Sequence, residues 1–367
     1  INLFLKKLGN IFINYSYENA VTFMGREEDE PEDTILSLDF RDKNQVNLIV
    51  DRLGTYGASE RVYSSGFKNF DMRFLNGGFE PGRIYIFAGK PGQGKSALLL
   101  NFAYNAALKE SENGAVLYIT LENSVEETIN RLLKILVYDV TGNREAYKDI
   151  RKDKQKMKDI LLKHFSDKRF IIKYFHPNFP TSDLLSWIAT LQQKEKISII
   201  FIDYLSLLTS TKAYEQKRHE LGQITLELKK MSRIFNVPIV TAAQLNTAGY
   251  DIIPTMKNID ESRQVAQHAD FIGLLFDDKT DSNLNLIDEC QMVLGINIDK
   301  NRNGPRGIAR FLFDSLTMKL KEITKTGEKI VVAQNDDIEE IIKEEDHNIM
   351  DIEEVSDLLQ EDPLGNI

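Results

Sequence analysis

Cysteine is all but missing from the 367 residues: Cys290 stands alone, which excludes an intrachain disulfide framework and fits a reducing compartment. Long apolar runs are missing too. Nothing approaches the roughly 18 uninterrupted apolar residues of a membrane span. The apolar opening from Ile1 to Ile13 carries Lys6, Lys7 and Asn10 where a signal peptide needs an unbroken core. No membrane contact and a cytoplasmic location are the expectation. The chain opens on Ile1 instead of Met, so a piece of something longer, with a further N-terminal domain, is expected. What is present is bulk. A hydrophobic content of 42% over this length excludes a miniprotein or a wholly disordered chain and calls for one large α/β domain or a domain with appendages.

The net charge of −10 is unevenly spread. Between Gln334 and Ile367 stand thirteen acids against Lys343 alone, which leaves 45 basic and 43 acidic residues elsewhere. A second acidic run, from Glu27 to Asp33, lies ahead of the body, so the globular part is more basic still and the overall charge says little about the working surface.

Residues 1–60 read as a helical lead-in and linker, 61–333 as the main domain and 334–367 as an acidic tail. Within the tail, Ile338, Ile341, Ile342, Ile349, Ile352, Val355, Leu358 and Leu359 recur at three and four. That spacing fits either an amphipathic docking helix or a solubilising tail. From Arg83 onward, short β-branched runs alternate with longer amphipathic stretches, the pattern of βαβ units around a parallel sheet flanked by helices. Strands are predicted at 83–88, 115–121, 170–175, 198–203, 238–243, 271–276 and 292–298. Helices are predicted at 96–108, 125–136 and along Leu221, Ile224, Leu228, Met231 and Phe235. A terminal hairpin is expected over 317–332, and Trp187 is expected in the core.

Gly89-Lys90-Pro91-Gly92-Gln93-Gly94-Lys95-Ser96 satisfies G-x-x-x-x-G-K-[ST], with a buried strand before it and a helix after it. Its glycines let backbone N–H groups close around phosphate oxygens at the positive end of that helix. Lys95 then reaches the β and γ phosphates of ATP or GTP, and Ser96 ligates Mg²⁺. Asp203 ends the strand Ile199-Ile200-Phe201-Ile202, where a buried carboxylate needs a cation or water, and is the expected second Mg²⁺ partner. Glu122 follows another apolar strand and reads either as a general base for water or as an acid complementing the next helix dipole. Gln244 after Ile239 to Ala243 reads as a γ-phosphate sensor or a turn amide. Lys300 and Arg302 alternate at a strand end and read as an arginine finger or a solvated turn. The five histidines have no ligand spacing, so no metal beyond Mg²⁺ is expected.

In order and rough spacing, the phosphate loop, Tyr118-Ile119-Thr120-Leu121-Glu122, Ile202-Asp203-Tyr204-Leu205, Ala243-Gln244-Leu245-Asn246 and Lys300-Asn301-Arg302-Asn303-Gly304-Pro305 resemble the DnaB-type replicative helicases. Ser65-Gly66-Phe67, Phe70-Asp71 and Gly77-Gly78-Phe79 resemble that family's entry to its RecA-like domain, and the likeness runs from Tyr63 to Phe313. Thr34 to Phe40 looks like the linker helix region of tailed-phage members, which implies a host cytoplasm.

The resemblance implies a hexameric ring that hydrolyses NTP at its subunit interfaces, moves on single-stranded DNA and unwinds duplex. Partners implied are a primase, a helicase loader or a polymerase. It makes Lys95 and Ser96 nucleotide and Mg²⁺ ligands, Glu122 the base, Asp203 the metal acid, Gln244 the sensor, and Lys300 and Arg302 cations acting in trans. It places strand-binding loops at 209–219 and 247–267, with Lys212, Lys217, Arg218, Lys257 and Arg263 as DNA contacts. There the chain departs from the family: Asn258-Ile259-Asp260-Glu261-Ser262-Arg263 stands where many cellular members read D-L-R-E-S-G. The competing functions are a RecA-like recombination or annealing ATPase and a non-catalytic loader or scaffold.

Overall fold

The structure is a computed structural model that describes residues 61–110, 114–211, 217–246, 253–259, 262–279, 286–326 and 329–332, with four helical positions between 43 and 50. The linker-like segment Thr34 to Phe40 and the acidic tail lie outside the described residues.

In chain order, α1 (Lys68–Phe74) precedes β1 (Ile84–Gly89), α2 (Lys95–Glu110), β2 (Ala115–Thr120), α3 (Val125–Thr141), α4 (Ala146–Ile150), α5 (Lys154–Phe165) and β3 (Phe170–Tyr174). There follow β4 (Phe179–Pro180), α6 (Thr181–Gln192), β5 (Ile197–Asp203), β6 (Leu208–Thr209), α7 (Lys217–Ile234), β7 (Ile239–Gln244) and α8 (Ser262–His268). The last stretch is all strand: β8 (Phe271–Asp277), β9 (Gln291–Asn301), β10 (Gly307–Asp314), β11 (Lys319–Thr326) and β12 (Lys329–Val332).

Ten of these strands form one sheet in the order β12-β11-β10-β9-β8-β1-β7-β5-β2-β3. From β8 to β3 every pairing is parallel, and β1, β2 and β5 are buried along their whole length. Strands covered on both faces carry continuous apolar runs, which is why no alternation marks them in the sequence. Beyond β8 the pairings turn antiparallel. The strand predicted at 292–298 is thus β9, longer than expected and antiparallel to β8. The links after β9 and β10 are too short for the crossover that a parallel pair requires. The terminal hairpin closes with Thr326 opposite Lys329.

Helices cover both faces. One core packs α1, α2 and α3 on the sheet around Phe67, Phe70, Phe87, Phe102, Phe271 and Phe311, with ring centroids between 5.0 and 6.5 Å. The other packs α6 and α7 on the opposite face, where Trp187 meets the Phe175 ring edge-on at 5.3 Å. Helix α2, expected to be amphipathic, is buried all round from Ala97 to Ala107, because α3 and the 63–79 segment cover the side away from the sheet. Among the described residues no helix is long and apolar enough to cross a membrane.

Candidate active site

The phosphate loop joins the carboxyl end of β1 to α2. Gly92 and Gly94 take φ of +74° and +85°, a backbone state open to glycine at little cost. The Gln93 side chain stitches the loop, its Oε1 accepting the Lys90 backbone N–H at 2.9 Å and its Nε2 donating to Asp277 Oδ1 at 3.2 Å. Lys90 Nζ reaches the other Asp277 oxygen at 2.8 Å. Lys95 Nζ lies across the loop on the carbonyls of Gly89 and Lys90, at 3.0 and 2.9 Å.

The strand order sets out the rest of the site along the same sheet edge. Gln244 ends β7 directly opposite Gly89 of β1. Asp203 ends the next strand, β5, and Glu122 follows β2 beyond it. Glu122 is therefore three strand spacings from β1, about 14 Å, although it comes next after the loop helix in the chain. Helix α2 crosses over β7, β5 and β2, and Lys95 at its start and Asp203 below it both feel the Glu122 charge. The helix that follows Glu122 has a cap and acids of its own at its start. Helix α3 is capped by Ser124 in a capping box with Glu127, and Glu126 and Glu127 fill its first turn. Glu122 stands exposed at the edge.

Asp203 is 1% exposed, and burial raises its carboxyl above the usual range against the lowering pull of the Ser96 and Tyr118 hydroxyls. Tyr118 donates to Oδ2 at 3.1 Å, while Oδ1 has no partner in hydrogen-bonding geometry. Burial likewise lowers Lys95, against the opposing charges of Asp203 and Glu122. A buried, half-satisfied carboxylate beside a hydroxyl and a desolvated lysine is the donor set that a divalent cation with phosphate would complete. Among the described residues no group of three or more His, Cys, Asp or Glu side chains forms a metal cage, so such an ion would depend on Ser96, Asp203, water and phosphate oxygens.

Lys300 and Arg302 are not brought to this edge. They lie at the end of β9, beside the amino ends of β8 and β1, and Arg302 N donates to Asp270 O. Asp270 N in turn donates to Ile84 O at the start of β1. Along β1 that is roughly 15 Å from the loop. Both have hydrogen-bond partners there: Lys300 Nζ donates to Ala266 O and Arg302 Nη2, on an exposed bend, to Gln267 O, both near the end of α8.

A family model for the DnaB-like helicase C-terminal domain matches residues 63–322. The chain belongs to that family. It is 32% identical over 258 residues to a probable replicative DNA helicase of Trieres chinensis, covering 69% of this chain and 55% of that protein. To the replicative DNA helicase DnaB of Geobacillus stearothermophilus it is 30% identical over 258 residues, covering 68% and 54%. The chain thus spans about half the length of the curated relatives it matches. Two solved structures share the fold. One, an ATPase domain, aligns with a TM-score of 0.61 at 24% identity, over 76% of this chain and 98% of that one. The other, a DnaB-like replicative helicase studied for its interactions with primase, aligns at 0.64 and 22%, over 85% and 72%.

Of the expected DNA contacts in this helicase-family domain, Lys257 is exposed in the turn Met256–Asn258. Lys212 lies outside the described residues, as do the side chains of Lys217, Arg218 and Arg263, whose backbones open α7 and α8. Helices α7 and α8 touch closely at Gly222, where any Cβ would overlap the Gln264 side chain. Gln264 Nε2 also meets His219 Nδ1 at 2.9 Å. Asp277 and Tyr118 were not among the site residues expected from the sequence. The signal for Asp277 was available, since it closes an apolar strand just as Asp203 does.

Proposed function

We propose that the chain is the motor portion of a replicative DNA helicase, hydrolysing ATP or GTP with Mg²⁺ between copies arranged in a hexameric ring, and so moving along single-stranded DNA. The observation that carries this reading is the split of the catalytic set: the phosphate loop, Gln244, Asp203 and Glu122 occupy one sheet edge and Lys300 and Arg302 the other. A site lacking its cations in one copy is completed by the opposite edge of the next.

In that site the Lys95 ammonium exchanges its loop carbonyls for β and γ phosphate oxygens, and the loop N–H groups hold the rest of the triphosphate. Ser96, with Asp203 behind it, would hold Mg²⁺, which when bound offsets phosphate charge. Glu122 orients the attacking water and takes its proton. Gln244, beside the loop, senses the γ phosphate. Arg302 and Lys300 from the neighbour stabilise the charge that develops during transfer. Lys212, Lys217, Arg218, Lys257 and Arg263 line the DNA path. Residues 1–60 act as lead-in and linker, 61–333 as the motor, and 334–367 as a dock for a primase, loader or polymerase in the cytoplasm.

Mixing tests the split. Arg302→Ala and Lys95→Ala proteins, each strongly impaired but still measurable alone, should regain hydrolysis when combined, because interfaces form that carry neither defect. An Arg302→Ala protein that hydrolyses at the wild-type rate refutes the trans role.

A further inference from the structure

The basic edge is organised around one carboxylate. Asp270 joins α8 to β8 and is 3% exposed. Its Oδ2 accepts the Ile84 backbone N–H at 2.9 Å and Lys229 Nζ at 2.5 Å, and its Oδ1 faces Arg302 Nη1 at 3.4 Å. Its backbone carbonyl accepts the Arg302 N–H at 3.1 Å. Arg302 is thus gripped twice by the same residue, through main chain and side chain, while Gln267 O takes its other terminal nitrogen at 3.0 Å.

Folding alone does not call for this arrangement. Lys229, buried and closer, already neutralises Asp270. Arg302 adds a further cation to an edge that holds Lys229, Arg233, Lys300 and Arg83, the last paired with Glu80, and burial first and the Arg302 charge second lower the Lys300 ammonium below its usual range. The Arg302 side chain keeps 46% of its surface in solvent and has donors to spare beyond the two bonded nitrogens. A guanidinium held from behind, with its outer face open and like charges around it, is arranged to meet an anion arriving from outside.

We propose that Asp270 is a positioning residue for Arg302, holding the guanidinium at the surface so that it meets the phosphate groups bound by a neighbouring copy of this chain. The proposal rests on the trans role of Arg302 put forward above. Asp270 itself touches no substrate. Its contribution is orientation, and a misplacement of about 1 Å at a reacting centre can cost on the order of 10²-fold in rate.

The test is steady-state hydrolysis by the assembled full chain on single-stranded DNA, comparing wild type, Asp270→Asn, Arg302→Ala and the double variant. Asp270→Asn should lower kcat on the order of 10²-fold with the nucleotide KM unchanged. Added to Arg302→Ala, it should cause no further loss, because both changes remove the same interaction. A merely structural role would instead depress both variants independently. Asp270→Asn leaves Lys229 facing an amide, so the charge-balanced pair Asp270→Asn with Lys229→Met is the second arm and should show the same loss of kcat in a folded protein. Full kcat in either folded variant, additive losses with Arg302→Ala, or failure of both variants to fold overturns the proposal. Wild-type rates in Arg302→Ala would instead overturn the trans role itself. An impaired Arg302→Ala beside a fully active Asp270→Asn sinks the positioning role alone.

Discussion

Replacing Asp203 by Asn should make the free protein more stable and useless as an enzyme. The carboxylate is 1% exposed, with one oxygen held by Tyr118 and the other unpartnered. Leaving a buried polar atom unsatisfied costs about 1–3 kcal/mol, and more for a charged group. Asn keeps the shape and an acceptor for the Tyr118 hydroxyl, and exchanges an unpartnered charged oxygen for an unpartnered neutral NH2 group, which costs less to bury. A gain of about 1 kcal/mol, the difference between a charged and a neutral unsatisfied group, is therefore expected in urea unfolding at pH 8 without nucleotide. For a body of this size that is about 2–4 °C in Tm for each kcal/mol. Saturating Mg²⁺-nucleotide should stabilise the wild type by about 3 kcal/mol at a hundred times its Kd. The variant should gain far less, since it lacks the acid that backs Ser96. An Asp203→Asn protein that is less stable than wild type yet keeps the full Mg²⁺-nucleotide stabilisation would refute the reasoning.

Lys95→Ala should weaken nucleotide binding whereas Glu122→Gln should bind normally and turn over at a small fraction of the wild-type rate; equal loss of affinity in a fluorescent-nucleotide titration would remove Glu122 as the base. Gly222→Val should cost about 1–3 kcal/mol in denaturant unfolding, because its Cβ overlaps the Gln264 side chain and α7 and α8 must part; an unchanged midpoint would show that the contact gives freely. Asp71, which accepts from Ser64 Oγ and Ser65 N, is pushed by burial to a pKa of about 7. Its folded-state pKa exceeds the unfolded one, so its contribution is full below about pH 4 and is lost as pH rises towards 7. Asp71→Asn should flatten the fall in stability across that window, and an unaltered pH profile would contradict the assignment.

Local signals reach some parts of this molecule and not others. The phosphate loop is legible because its glycines, lysine and serine are adjacent in the chain. So are the central strands, as apolar runs. Their lateral order is not, and that order decides that Gln244 faces Gly89 while Glu122 stands three strands away. Strand β10 alternates Ala309, Phe311 and Phe313 on its buried side, a period-two signal that sequence analysis leaves between the Lys300 string and the terminal hairpin. Helix α5 carries Lys154, Lys156, Lys158 and Lys163 with few buried positions, so its periodicity is faint. Asp270 and Lys229 are silent in the sequence: they lie 41 residues apart and meet only once α7 and β8 are folded against one another.

Whether one copy can complete its own site is answered by single-stranded-DNA-stimulated hydrolysis measured together with particle mass on the same sample. Hydrolysis should appear with a ring of about six copies of the 42.1 kDa chain and disappear on dilution to single copies. Full DNA-stimulated hydrolysis by a species with the mass of one chain would contradict it.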